Sequence, residues 1–207
     1  MLEQVAYFQN RRDEVPNQEL AARLAASGDA RGVHEIVEGL GHPVEAVRSD
    51  CIKVLYELGE LAPEMIAGYV DVFLDLLGSR NNRLVWGGMS ALATVAALKA
   101  QELYARRDEI ERAIERGSVI TCDRGIRALA GVGAHSGAYG DAVMPFLLRH
   151  LESCRSKDVP QRAESASAAV SGRWRKPFAE LLRTRVPEFT PPQLRRIRRL
   201  LGEFGAD

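Results

Sequence analysis

Apolar residues in this chain return on a helical beat. Residues 43–59 read PVEAVRSDCIKVLYELG, with Val47, Cys51, Val54, Leu55 and Leu58 at i, i+4, i+7, i+8 and i+11. That spacing places them on one face of an α-helix. The cadence returns from Val85 through Met89, Leu92 and Ala93, and from Cys122 through Ile126, Leu129 and Ala130. It returns weakly from Pro160 through Ala163, Ser167 and Ala168. The four starts, 47, 85, 122 and 160, are separated by 38, 37 and 38 residues. A fixed period of this size marks a solenoid in which each unit buries its apolar face against the next.

Each unit pairs this helix (A) with a second (B). The B pattern is clearest in residues 63–77, PEMIAGYVDVFLDLL, where Ile66, Val70, Phe73, Leu74 and Leu77 form a broad apolar face. Pro63 suits a first helical turn, where a missing N–H costs nothing. The counterparts are ELYARRDEIERAI, AYGDAVMPFLLRHL and RKPFAELLRTRV. Pro145 inside the third predicts a kink or a late helix start. Small residues at Ala93, Ala130 and Ala168 predict close approach of neighbouring A helices. Upstream, residues 17–41 read as a shorter pair, with Gly28 as a stop and Asp29 as an N-cap. Downstream, Thr190 and Gln193 have capping-box spacing, with Pro191 at the first helical position.

The stretch Pro43-x-x-x-Val47-Arg48-x-x-Cys51-x-x-Val54-Leu55-x-x-Leu58-Gly59 resembles the first helix of a HEAT repeat. Trp86 and Asp123 stand where the motif's arginine falls in the next two units. The resemblance spans roughly residues 17–185. It implies an all-α, right-handed superhelix of about five helix pairs, most often a binding scaffold. The expected division is one repeat domain over 1–207. Residues 1–16 form an arm or short helix, 17–43, 44–84, 85–121, 122–159 and 160–189 form repeats, and 190–207 form a capping helix.

Composition narrows the function without naming it. The 207 residues carry 28 Lys+Arg and 28 Asp+Glu, so net charge predicts no bulk preference for nucleic acid or membrane. The three cysteines are far apart and form no C-x-x-C. This fits free thiols in a reducing cytoplasm better than a disulfide framework. The first residues do not read as a signal peptide, and no apolar run reaches bilayer length. His34-Glu35-Ile36-Val37-Glu38 lacks the second histidine of a zincin helix. The glycines of residues 125–140 follow no strand, and they read as helix packing rather than a nucleotide loop. No metal or other cofactor is expected. Cys51 and Cys122 fall on core positions and read as structural thiols.

DNA alkylpurine glycosylases of HEAT-like fold pair tryptophans with an essential aspartate. Here Trp86 and Trp174 are followed one turn later by Ser90 and Phe178, and the nearest aromatic–acid pair is Tyr104 and Asp108.

Charge is unevenly spread. Residues 155–207 hold 12 Lys/Arg against 6 Asp/Glu. The basic block comprises Arg173, Arg175, Lys176, Arg183, Arg185, Arg195, Arg196, Arg198 and Arg199, with Trp174 among them as an aromatic able to stack a base. A step of 37 residues also links Asp75, Arg112 and Arg149 along the B helices, which are expected to line the groove. These arginines and Trp174 are the candidate binding residues, set against the plainer reading of a solvated terminal cap. The expected role is a non-enzymatic scaffold for a protein partner. The alternative is nucleic-acid binding or repair through the basic end, and a third is an accessory or lyase-like subunit. The sequence leaves the oligomeric state open.

Overall fold

The computed structural model describes residues 1–204, which form twelve α-helices and no strand. The helices are α1 (Val15–Ser27), α2 (Ala30–Glu38), α3 (Glu45–Leu61), α4 (Val70–Leu76), α5 (Asn82–Val95) and α6 (Ala100–Ala105). They continue as α7 (Arg107–Arg116), α8 (Val119–Ala134), α9 (Gly137–Ser153), α10 (Val159–Ala166), α11 (Arg175–Thr184) and α12 (Pro191–Phe204). Residues 205–207, the end of the expected capping helix, lie outside the described residues.

The A helices α3, α5, α8, α10 and α12 stack in chain order, and α1 packs on α3 as an additional end layer. The B helices α2, α4, α7, α9 and α11 back this layer. Val54, Leu55, Leu92, Leu129 and Ala130 are fully or almost fully buried, as the A cadence requires. Glycines on the A helices let them close up. A Cβ on Gly87 would stand 2.6 Å from Ile52 Cγ1, and one on Gly131 would stand 2.8 Å from Ala96 Cβ. Contacts that short are not tolerated, so glycine sets the approach of α3 to α5 and of α5 to α8.

Helix ends follow local chemistry. Gly28 adopts φ 64° and ends α1, and the Asp29 carboxylate accepts from Gly32 N–H at 2.9 Å to start α2. Asn81, Ser118 and Ser136 cap α5, α8 and α9 in the same way. The Thr190–Gln193 box forms only in part. The Gln193 side chain accepts both the Thr190 N–H and its hydroxyl, each at 2.8 Å.

Several details differ from the sequence expectations. Pro63 opens two 3-10 turns, Pro63–Met65 and Ala67–Tyr69, and the α-helix starts only at Val70. Pro145 lies inside a continuous α9 that starts at Gly137, so no late start occurs. Ala168 is exposed in a 3-10 turn, because the polar Ser167 ends the apolar face and α10 stops at Ala166. Ala169 packs instead, under Gly133. Three units place a short turn or helix before the B helix: the turns before α4, the helix α6 before α7, and the turn Gly172–Trp174 before α11. These units are therefore three-element rather than simple helix pairs.

A second period runs along the B side of the repeat. His34, Tyr69, Tyr104, Tyr139 and Trp174 recur at intervals of 35 residues. Tyr104 and Tyr139 stack with ring centroids 4.0 Å apart and planes 8° apart, and His34 stacks on Tyr69 at 6.3 Å. The four large aromatics pack against the edge of the core.

The N-terminal segment is docked. Val5 is buried, Ala6 N–H donates to the buried Asn17 Oδ1 at 2.9 Å, and Tyr7 N–H donates to Asp50 Oδ2 at 2.8 Å.

Candidate binding groove

The outward face of the A helices holds a groove of about 430 Å³, lined by residues of α3, α5, α8 and α10. Two sets of lining residues are equivalent in the repeat: Trp86, Asp123 and Gln161, then Ser90, Arg127 and Ser165. The sets lie four residues apart on each helix, so each helix contributes one turn of the same face. Tyr56 and Trp86 form its aromatic part, with centroids 5.6 Å apart and planes tilted by 48°. Arg83 lies 4.4 Å over the Trp86 ring, and Lys53 lies 4.9 Å from the Tyr56 ring. Exposed Val119 and Ile120 mark the start of α8, and Ile120 lines the groove.

Charges along this face are held in clusters. Lys53 is only 5% exposed, and it pairs with Glu57 at 2.5 Å and Glu14 at 2.9 Å. Burial alone would lower its pKa, but hydrogen bonds to Glu57 and Glu14 outweigh that and hold the ammonium above its usual value. Arg83 also binds Glu14, at 2.5 Å. Arg127 forks onto Glu60 at 2.6 and 3.0 Å, and Arg124 reaches the same carboxylate at 3.5 Å. The Arg127 hydrogen bond holds the Glu60 carboxyl below its usual range, against partial burial. At the far end Arg196 and Arg199 share Glu164, whose carboxyl is lowered chiefly by the Arg196 hydrogen bond.

Asp123 lines the groove together with Trp86, which invites comparison with a catalytic acid. Its oxygens accept from Arg162 Nε at 2.8 Å and Gln161 Nε2 at 3.1 Å. The buried Arg162 also contacts His150 Nε2 at 2.9 Å. Asp123 is thus an ion-pair partner in a network running from the groove to α9. Tyr104 and Asp108 lie on α6 and α7, away from the groove, and Asp108 contacts Arg107.

The sequence-predicted residues do not gather in this groove. Arg112 lies between α4 and α7 beside Leu74 and Leu77, and its Nε donates to Asp108 O at 3.1 Å. Asp75 contacts Arg106 at 3.6 Å instead, so the ladder from Asp75 through Arg112 to Arg149 does not form. Arg149 is exposed on α9, 5.9 Å from the Phe146 ring. A second pocket, of about 300 Å³, lies on the B side between α4 and α7, and Arg112 lines it. At the basic end, Arg173 and the Trp174 indole both donate to Asp141, at 3.0 and 2.7 Å. Arg175 donates to Glu203 O, and Lys176 faces Glu180 at 3.9 Å. Arg185 is buried, donating to Leu151 O at 2.6 Å and pairing with Glu188, so it is a tie between units rather than a surface cation. Arg183, Arg195 and Arg198 are exposed.

Sequence reading passed over Tyr56, Arg124, Arg127 and Gln161. A usable signal was present: Trp86, Asp123 and Gln161 share the register position of the HEAT-like arginine. Among the described residues, no group of three or more His, Cys, Asp or Glu could hold a metal ion, and no helix is long and apolar enough to cross a membrane.

No protein-family model matches the sequence, and no curated protein matches it. Solved structures do match in fold. A designed armadillo repeat protein in complex with the peptide (KR)4 aligns at TM-score 0.67 and 14% identity, covering 92% of each chain. Computationally designed armadillo repeat proteins for modular peptide recognition align at TM-score 0.64 and 14% identity, again over 92% of each chain. An engineered protein aligns at TM-score 0.67 and 18% identity over 98% of each. The chain is therefore an all-α helical repeat solenoid of armadillo-like type.

Proposed function

We propose that this protein is a binding scaffold that holds an extended segment of a partner protein along the face of α3, α5, α8 and α10. The observation that carries this reading is the groove itself. Equivalent positions of successive helices line one channel, with an aromatic pair on one side and paired charges along it. Stacked repeats supply such a surface already ordered, so the partner alone bears the entropy of ordering. Trp86, half-buried and backed by the buried Tyr56, offers a rigid aromatic surface for side-chain contact, the chemistry that dominates interface hot spots. The similar designed proteins described as peptide binders support the same use of the fold. Binding is favoured over catalysis because Asp123 is committed to Arg162 and Gln161. The HEAT-like motif and the unpaired thiols support a natural adaptor working in a reducing cytoplasm.

The test is selection of binders from a library of short linear peptides, followed by titration of the best. Trp86→Ala should weaken them by about 2 kcal/mol, as loss of a central aromatic anchor does. Arg112→Ala and Arg149→Ala, on other faces, should leave affinity unchanged. Binders indifferent to Trp86→Ala but lost with Arg149→Ala would place the site elsewhere.

A further inference from the structure

The same face shows how it treats a carboxylate. Three times, cations of the A helices hold a carboxylate delivered from another segment. Lys53 and Arg83 hold Glu14, Arg124 and Arg127 hold Glu60, and Arg196 and Arg199 hold Glu164. The last two clusters each set two guanidiniums against one carboxylate, which leaves one positive charge in excess. Donors also remain open there. Arg124 touches Glu60 only at 3.5 Å, and Arg199 gives one nitrogen to Glu164 while 71% of its side chain is exposed. The remaining groove carboxylates are already matched, Glu57 by Lys53 and Asp123 by Arg162. The Trp86 ring, with Arg83 of the first cluster over it, and the exposed Ile120 side chain line the same groove.

We infer that the occupant of the groove is an acidic, extended peptide, its carboxylates taken by the spare donors of Arg124 and Arg199 and an apolar side chain resting between Trp86 and Ile120. This rests on the groove reading above. An extended strand rises about 3.3 Å per residue and stacked helices lie roughly 8–10 Å apart, so acidic residues every two or three positions meet successive helices. Guanidinium forks match carboxylates in plane and geometry. A nucleic-acid strand fits less well, because the spare donors of Arg124 and Arg199 lie two A helices apart and cannot meet the phosphate carried at every nucleotide, whereas a peptide can space its carboxylates to match them.

The experiment compares three labelled peptides of about twelve residues, an extended length that crosses the face. They share one apolar residue and carry Glu, Lys or Ser at alternate positions. A thymidine oligonucleotide of matched length is the fourth probe. Anisotropy is read at about 50 mM and about 200 mM salt, which brackets a Debye length near 10 Å. The Glu peptide should bind at least tenfold tighter than the Lys peptide and weaken with salt. Arg124→Gln with Arg199→Gln should reduce its affinity about tenfold, since each removes a charge-assisted hydrogen bond. That double variant keeps Arg127–Glu60 and Arg196–Glu164, so its melting curve should match the wild type. Tightest binding of the Lys or Ser peptide, lost with Trp86→Ala, would overturn the acidic occupant while leaving the groove reading in place. Tightest binding of the oligonucleotide, lost with Trp86→Ala, would overturn the peptide occupant. Failure of all four, with library-selected binders also indifferent to Trp86→Ala, would remove both readings together.

Discussion

Cys51 shows how much a single position can tell. It lies on the apolar face of α3, completely buried, and burial pushes its thiol pKa up to about 12. Cys122 is also shifted up by burial, and its Sγ lies 3.0 Å from Ile114 O. Neither offers a thiolate at neutral pH. In the native protein both should resist a thiol reagent, while the half-buried Cys154 reacts first; mapping of labelled peptides checks this. Rapid native labelling of Cys51 would contradict the packing. Leu92 makes the stronger demand. It is fully buried in the A layer, so Leu92→Asp would bury an unpaired charge. A loss of at least about 4 kcal/mol is expected, read as a collapsed melting curve.

Elements are joined by less regular contacts. Two steps of the 35-residue aromatic series tie one B element to the next, His34 on Tyr69 and, more closely, Tyr104 on Tyr139. Tyr139→Ala should cost about 2 kcal/mol, from lost area plus the stacking contribution. His135→Ala, whose ring is more loosely stacked on Tyr139 at 5.5 Å, should cost clearly less. Denaturant melts of both variants separate the two. A different link joins α9 to the A layer through His150. Its pKa is lowered by burial and then by Arg162, while Asp123, Asp158 and Glu115 partly oppose this. The fold therefore favours the neutral ring. Its contribution is complete above the unfolded value of 6.5 and is lost as pH falls through the lower folded value. Wild-type stability should drop between about pH 7 and pH 5, and His150→Gln should flatten that slope. An unchanged slope would show that Arg162 does not depend on the neutral ring.

For the whole molecule, the asymmetry of charge matters less than its pairing. The C-terminal block is basic in sequence, yet Arg173, Lys176, Arg185 and Arg196 all face carboxylates. A cation already paired releases little counterion when a phosphate approaches. Duplex DNA should therefore bind weakly at physiological salt. Charge reversal at Arg175 and Arg183 should change that binding by less than about threefold, read by anisotropy against salt. Tight binding with a steep salt slope that those changes abolish would restore the basic end as a nucleic-acid site.

The sequence by itself determined the all-α repeat, the buried A-face residues Val54, Leu55, Leu92 and Leu129, and the break between α1 and α2. Each of these depends on spacing within one helix or on a cap within three residues. Val54 and Leu55 could face only inward, and Gly28 with Asp29 could only stop one helix and start the next. The groove was not legible in the same way. Tyr56 meets Trp86 across two helices, and Glu60 reaches Arg127 across 67 residues. The expected ladder of Asp75, Arg112 and Arg149 does not form, because Arg106 rather than Arg112 faces Asp75. Periodicity fixes which residues are equivalent, but not which side of the stack a given turn presents. That side is set by contacts between helices distant in sequence, such as Tyr56 with Trp86, and only the packed structure decides it.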